Sequence, residues 1–249
     1  MGNVMNKHPR APWGDITFVG VYWNCEDRVG NLLEYVRPWF KHVVVGVQDS
    51  PDNTLMVAKQ YADLVVPDKW RGRGDPTIQK VLNKVRTKWV FLISDDEWPT
   101  ESLLYSFQDL AESLVSHKKD GAWVHFVSTI DDINFTREQD EHLRLFETKI
   151  GWPSSQHARP MTSNTLRWRP DDEAYVRHDR SLDEMITDYV RRYKIGIKER
   201  ASSQQMEHNR RMMRGACGAI ADHKGWDYVK SFAWWPEVVE HAYGGKSPA

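Results

Sequence analysis

Three acidic residues follow a short apolar run near the middle of the chain. The run is Trp89 to Ile93, and Asp95, Asp96 and Glu97 come after a single serine. Adjacent carboxylates repel one another unless a cation or a positive group of a ligand lies among them. Oxygen ligands of this type suit Mg²⁺ or Mn²⁺, and such ions commonly arrive with a phosphate. The acids therefore predict metal-assisted chemistry on a nucleotide-linked substrate, with a solvated acidic turn as the alternative.

The apolar run before the acids predicts a strand buried on both faces, because it is short and rich in β-branched and aromatic residues. The preceding sequence alternates predicted strands, at 16–23, 42–47 and 64–66, with predicted helices at 28–37, 54–62 and 75–85. This alternation predicts an α/β fold with a mainly parallel, doubly wound central sheet flanked by helices. Ligands bind such sheets at the carboxyl ends of the strands, which is where the acids would lie.

The pattern is less regular in the second half of the chain. It predicts an amphipathic helix at 101–116, strands at 121–128 and 143–146, and a helix at 182–193. Ser181 and Glu184 have the spacing of a capping box at the start of that last helix. We expect a flexible leader at 1–14, a catalytic domain at 15–195, and a helical or irregular C-terminal extension at 196–249 packed on it.

Composition limits the class of protein. The 249 residues carry a net charge of −1, which argues against a generally nucleic-acid-binding surface. Cys25 and Cys217 lie far apart and give neither a disulfide framework nor a zinc-binding spacing, so a reducing cytoplasm fits best. No run of 18 apolar residues is present, and we expect no transmembrane segment.

Polar residues follow the predicted strands of the first half in a particular order. The segments are YWNCED, VGVQDSPDNT, WRGRGDPTIQKVLN and WVFLISDDEWP. Together they resemble the GT-A fold glycosyltransferases, in particular the family-2-like nucleotide-sugar transferases, although Ser94 replaces a leading acid common in that family. The resemblance implies a GT-A-like, Rossmann-like fold. It also implies metal-dependent transfer of a sugar from a UDP- or GDP-linked donor to an acceptor hydroxyl.

The resemblance and the residue chemistry together indicate candidate site residues. Donor contacts are expected from Asn24, Glu26, Asp49, Arg71, Arg73 and Asp95. Ligands for Mn²⁺ or Mg²⁺ are expected from Asp96, Glu97, His157 and His178. Trp152 would form a wall of the acceptor site. The base that takes the acceptor proton is expected among Asp131, Asp132 and Glu173, since Ala158 occupies the position after His157 where many relatives carry an acid.

Several of these residues also have structural explanations, and two other functions stay open. Asp49 could form an Asx turn, Trp152 could pack in the core, and each histidine could be structural or exposed. A nucleotidyltransferase would carry a glycine-rich basic loop after the first strand, where this chain has NCED. A non-catalytic nucleotide- or carbohydrate-binding module would explain Ser94 and Ala158. The acceptor is either a glycan or a nucleic-acid base.

Overall fold

The computed structural model describes residues 13–72, 74–134, 140–153, 160, 162–199 and 201–248. The chain divides into two compact units. The first comprises the described residues of 1–126 and 138–177, and the second those of 127–137 and 178–249. The leader expected at 1–14 lies mostly outside the described residues, although Trp13 already belongs to the first strand. The domains expected at 15–195 and 196–249 stay a prediction.

Strands and helices alternate through the first unit, as the sequence predicts. The strands are β1 (Trp13–Tyr22), β2 (Phe40–Gln48), β3 (Leu64–Asp68), β4 (Trp89–Leu92), β5 (Glu97–Pro99), β6 (Gly121–Ile130), β7 (Ile133–Asn134), β8 (Glu141–Glu147), β9 (Thr165–Trp168) and β10 (Val176–Arg180), of which β7 and the later parts of β6 and β10 belong to the second unit. The helices of the first unit are α1 (Glu26–Val36), α2 (Thr54–Tyr61), α3 (Asp75–Leu82), α4 (Glu101–Tyr105) and α5 (Phe107–Ser116). The predicted α/β fold is confirmed.

The sheet is parallel where the candidate site lies. Its strand order is β3-β2-β1-β4-β8-β6-β10-β5, and β7 and β9 pair with β6. Strand β1 is parallel to both β2 and β4, and β2 is parallel to β3, whereas β8 is antiparallel to β4. Because these four strands are parallel, their carboxyl ends meet at one edge of the sheet.

Strand β4 is buried on both faces, as its apolar sequence predicts. Phe91 and Ile93 pack in the larger core with residues of α1 and α5. Val90 and Leu92 point the other way, into a smaller core with residues of α3. Side chains of a strand alternate between the two faces of the sheet, so two apolar layers hold β4 in place. This fixes the position of the acidic turn that follows.

Three boundaries differ from the predictions. The helix predicted at 101–116 is two helices, because the Ser106 hydroxyl donates to the Leu103 carbonyl oxygen at 2.8 Å and accepts from the Trp168 indole at 2.9 Å. Helix α1 begins at Glu26, two residues before the predicted start at 28. Helix α3 ends at Leu82, three residues before the predicted end at 85.

The second unit is a helical assembly with its own core. Its helices are α6 (Leu182–Glu199), α7 (Ser203–Lys224), α8 (Trp226–Lys230) and α9 (Trp235–Tyr243). Leu182, Met213 and Val238 are fully buried in that core. The capping box is confirmed: the Ser181 amide donates to the Glu184 carboxylate and the Glu184 amide donates to the Ser181 hydroxyl, both at 3.1 Å.

Neither cysteine is placed for chemistry. Cys25 and Cys217 are buried free thiols, and burial raises the pKa of each to about 12. Both thiols are therefore protonated and weakly nucleophilic at neutral pH. Within the described part of the chain, no helix combines the length and apolarity needed to cross a bilayer.

Gly121→Ala should destabilise the first unit. A methyl group at this position would lie 2.8 Å from the Leu145 carbonyl oxygen of β8, which cannot move without disturbing the sheet. Overpacking of this kind costs about 1–3 kcal/mol, to be measured by urea unfolding. Gly14→Ala is the matched control, since its new methyl would meet only a lysine methylene at 3.9 Å. Equal stability of the two variants would contradict the packing described for β6 and β8.

Candidate active site

The acidic turn lies at the carboxyl end of β4, beside the end of β1. Leu92, the last residue of β4, lies opposite Val19 of β1, and the Ile93 amide donates to the Val19 carbonyl oxygen at 3.0 Å. Asp95 and Asp96 follow in the turn, and Glu97 begins β5. The parallel pairing thus brings the acids to the edge of the sheet where α1 begins.

Arg28 of α1 neutralises Asp95, and the sequence analysis missed this arginine. Its Nε and Nη2 atoms donate to the same oxygen, Oδ2 of Asp95, at 3.1 and 2.6 Å. A sequence signal for this pair does exist. Arg28 lies in the first turn of a helix, where the helix dipole disfavours a cation, so its presence there indicates an acidic partner nearby.

The pKa of Asp95 is raised to about 6. Burial is the largest cause and the negative charge of Asp96 the next, and both outweigh the opposing effect of Arg28. A shift of this size is typical of carboxylates at functional sites, where desolvation and like charges are combined. The turn therefore holds more negative charge than its own surroundings neutralise.

Glu97 is bound from two sides and is itself buried. Its Oε2 accepts from the Ser94 amide at 2.9 Å, and its Oε1 accepts from Nη2 of Arg144 on β8. The Arg144 guanidinium lies over the Phe126 ring, 5.3 Å from its centre. Glu97 thereby closes the acidic turn and ties it to β8. One carboxylate oxygen of Glu97 also lies within 4.8 Å of one of Asp96, which leaves this pair able to share a cation.

The loops after β1 and β2 bind each other through the predicted donor-binding residues. The Glu26 carboxylate accepts a hydrogen bond from the backbone amide of Asn53 at 2.7 Å. The backbone amide of Glu26 in turn donates to the Asp52 carboxylate at 3.0 Å. The backbone amide of Asn24 donates to the Ser50 hydroxyl at 3.0 Å, and Asn24 has a positive φ of 51°. The side chain of Glu26 thus holds the neighbouring loop in place, which is a structural role beside the predicted one.

Asp49 and Arg71 shape the loop after β3. The backbone amide of Trp70, 21 residues along the chain, donates to the Asp49 carboxylate, so this contact joins the loops after β2 and β3 and is not the local Asx turn considered from the sequence. Arg71 forms an ion pair with Asp68 at 2.9 Å. Hydrogen bonds from Arg71, and then from Lys80 and Thr77, outweigh the effect of burial, which would raise the pKa of Asp68. They hold that pKa well below its usual range. Arg73 lies outside the described residues.

Two indole rings stack at this edge, which the sequence did not reveal. Trp23 follows β1 and Trp70 follows β3, and their rings are parallel within 3° with centroids 4.1 Å apart. Both side chains are half-buried. A flat aromatic surface beside acidic and amide groups is a suitable neighbour for a planar base.

The remaining predicted residues are distributed over both units. Trp152 is 7% exposed and packs against Phe146, so core packing, the alternative considered from the sequence, accounts for its position. Glu173 belongs to the first unit and is exposed. His178 belongs to the second unit, as the first residue of its segment 178–249, and is half-buried on β10. His157 lies outside the described residues.

Asp131 and Asp132 belong to the second unit. Asp131 Oδ1 accepts from the Leu182 amide at the start of α6, and its Oδ2 accepts from the Tyr228 hydroxyl, both at 3.0 Å. Both aspartates have positive φ values, 48° and 66°. These contacts give Asp131 a structural role, and its predicted role as a base stays a prediction.

Comparison with known proteins shows what the chain resembles. The profile of the Glycosyl transferase family 2 matches residues 18–182. The crystal structure of S. aureus TarS 1–349 with UDP is 13% identical over 94% of this chain and 75% of that chain, with a TM-score of 0.51. Its complex with UDP-GlcNAc covers 91% and 79% at 13% identity and a TM-score of 0.50.

A third structure is more distant. Glucosyl-3-phosphoglycerate synthase from Mycobacterium tuberculosis, in complex with Mn²⁺, UDP and its product, is 16% identical over 48% of this chain and 45% of that chain. Its TM-score is 0.35. No curated protein sequence matches the chain.

The titration of Asp95 tests the electrostatics of the turn. In metal-free buffer its carboxyl carbon should titrate near pH 6, because its pKa is raised to about 6. Arg28→Ala should raise that midpoint and Asp96→Asn should lower it, followed by carbon-13 NMR of labelled aspartate.

The same shift affects stability. A carboxyl whose pKa is higher in the folded than in the unfolded state stabilises the fold below about pH 4, and that contribution is lost as pH rises through about 6. An Asp95 titration midpoint near pH 4, unchanged by Asp96→Asn, would contradict the geometry of the turn.

Arg144→Met should destabilise the first unit more than a double variant that also carries Glu97→Gln. Removing only the arginine leaves a buried carboxylate unpaired, which costs about 3–5 kcal/mol, whereas the neutral amide of the double variant needs no counter-ion. Urea unfolding of the wild type, both single variants and the double variant measures the coupling. Additive effects of the two substitutions would show that the pair does not hold the turn.

Proposed function

The chain belongs to glycosyl transferase family 2 and is a glycosyltransferase, and we propose that its donor is a nucleoside-diphosphate sugar held with a divalent ion at Asp96. The observation that supports this proposal is the set of side chains at one edge of the sheet in the first unit. There Asp49 follows β2, Asp95 and Asp96 follow β4, and the stacked rings of Trp23 and Trp70 follow β1 and β3, all at the carboxyl ends of parallel strands. Acidic, amide and aromatic groups of this kind suit the ribose, metal and base of a nucleotide.

The donor atoms of the turn suit Mg²⁺ or Mn²⁺. Asp96 and Glu97 present carboxylate oxygens within 4.8 Å of each other, and hard divalent ions prefer such oxygens. The pKa of the neighbouring Asp95 is raised, first by burial and then by the negative charge of Asp96. When bound, the ion supplies charge that stabilises the departing diphosphate. His157 and His178 are the proposed nitrogen ligands.

The nucleotide is proposed to lie over the ends of β1 to β3. Asp49 accepts hydrogen bonds from the base or ribose in this proposal, and Asn24 lines the same pocket. The indole pair of Trp23 and Trp70 provides the planar surface for the base. TarS, whose fold this chain resembles, was crystallised with UDP and with UDP-GlcNAc. We therefore propose a uridine donor, with a guanosine donor as the second choice.

The acceptor contributes a hydroxyl group, and a carboxylate takes its proton as the sugar is transferred. Of the three predicted bases, Asp132 and Glu173 are the better candidates, because both oxygens of Asp131 accept hydrogen bonds within the second unit. A glycan hydroxyl is the proposed acceptor. Its identity is to be established by the product formed from a labelled donor.

Asp96→Ala should abolish metal-dependent nucleotide binding. Titration calorimetry of the wild type with UDP should give an affinity that rises at least about tenfold when Mn²⁺ is added, because the ion would offset the negative charges of the carboxylates and the diphosphate. The variant should bind UDP equally weakly with and without Mn²⁺. His178→Ala should lose part of the metal effect.

Asp109→Ala is the matched control for this experiment. Asp109 is an exposed acid in the first turn of α5, away from the acidic turn in sequence, and its loss should leave the calorimetry unchanged. Undiminished Mn²⁺-dependent UDP binding in Asp96→Ala would remove Asp96 from the site and with it the proposed metal role.

A further inference from the structure

Two tryptophan side chains from separate loops cover each other at the edge of the sheet where the nucleotide is proposed to bind. The rings of Trp23 and Trp70 are parallel within 3°, and their centroids lie 4.1 Å apart. Contact of this kind is stabilised by dispersion and by the removal of water from the facing surfaces. Each indole therefore occupies one of the two flat faces of the other.

The strand order places the end of β2 between the two loops that carry the rings. Strand β2 pairs in parallel with β1 on one side and with β3 on the other. Asp49 directly follows β2, and its carboxylate accepts a hydrogen bond from the backbone amide of Trp70. A planar ring inserted between the two indoles would thus have one edge near the carboxylate that we propose binds the base.

Neither indole is carried by a regular strand or helix. Trp23 lies between β1 and α1, and Trp70 lies between β3 and α3. The backbone beside each ring is held by a contact with another loop: the Asn24 amide donates to the Ser50 hydroxyl at 3.0 Å, and the Trp70 amide donates to Asp49. The rings can therefore separate by rotation of their side chains, while the backbone stays anchored and no hydrogen bond of the sheet is lost.

Insertion of a base exchanges one ring contact for two. A base on the outside of the pair stacks on a single indole, whereas a base between the rings stacks on both and replaces only the contact between the indoles. Carbon atoms in contact lie about 3.5 Å apart, so insertion would move the two centroids from 4.1 Å to about 7 Å. Stacking on an aromatic side chain stabilises any nucleobase, because every base has a π face. The inserted position therefore makes the fullest use of the pair.

We propose that Trp23 and Trp70 form a clamp that opens to take the nucleobase of the donor between its two rings. This inference rests on the proposed function, which places a nucleotide at this edge of the sheet. In the stacked arrangement each ring covers a surface that the base needs, so the base binds only when the rings part. Stacking of the base on one outer face would not separate the rings, and neither would a purely structural role in joining the two loops.

Circular dichroism tests whether the rings part. Two stacked indoles couple electronically and give paired positive and negative bands in the far ultraviolet. The contribution of this pair is the difference between the wild-type spectrum and that of Trp23→Phe. Addition of UDP with saturating Mn²⁺ should remove most of this difference, because the coupling weakens steeply as the rings separate. The same titration of Trp23→Phe corrects for the signal of the nucleotide itself.

Titration calorimetry tests whether both rings contact the base. Trp23→Ala and Trp70→Ala should each weaken UDP binding about three- to thirtyfold, because each variant loses one of two stacking contacts. The factor by which Mn²⁺ raises UDP affinity should stay that of the wild type in both variants, since the proposed ion site at Asp96 is intact.

Trp168→Ala is the matched control for these variants. Trp168 is a half-buried indole on β9, which pairs with β6 and not with the strands that precede the stack. Its loss should leave UDP affinity unchanged. Thermal unfolding followed by circular dichroism checks that each variant is folded, and the spectral test on the wild type does not depend on any alanine variant.

The outcomes separate this inference from the proposed function. If the wild type binds neither UDP nor GDP, the proposed function fails and the clamp fails with it. If a nucleotide binds but the paired bands persist, or if only one of the two alanine variants loses affinity, the clamp is overturned while the proposed function stands. Loss of the bands on nucleotide binding, together with weaker binding by both alanine variants, supports the clamp.

Discussion

Repulsion among the three carboxylates after β4 is the constraint on which the rest of the candidate site depends. Glu97 is neutralised by Arg144, which β8 supplies, and Asp95 is neutralised by Arg28, which α1 supplies. Both arginines can reach the turn only because β1 lies parallel to β4 on one side and β8 lies antiparallel to it on the other. The order of strands in the sheet is therefore also what makes an acidic edge tolerable in the folded protein.

The two arginines do not offset all of the effects of burial and like charge in the turn. The pKa of Asp95 stays raised, to about 6, despite Arg28, because burial and Asp96 outweigh it. Residual negative charge at the carboxyl ends of parallel strands is what a metal–pyrophosphate complex would neutralise. The chain belongs to glycosyl transferase family 2, and the nucleotide-bound TarS structures have a similar fold.

Features that depend on local pattern could be predicted from the sequence. The alternation of strands and helices, the strand buried on both faces and the capping box at Ser181 and Glu184 all follow from short-range spacing. The contacts of Arg28 with Asp95 and of Arg144 with Glu97 span 67 and 47 residues, and only tertiary packing creates them. The core position of Trp152 and the helix break at Ser106 likewise depend on distant partners, Phe146 and Trp168.

Diffraction from crystals grown with UDP and Mn²⁺, recorded at a wavelength where manganese scatters anomalously, tests the central claim most directly. The account predicts an anomalous peak about 2.2 Å from a carboxylate oxygen of Asp96, beside the bound nucleotide. A nucleotide bound at this edge with no ion beside it, and with Asp96 directed into bulk solvent, would contradict it.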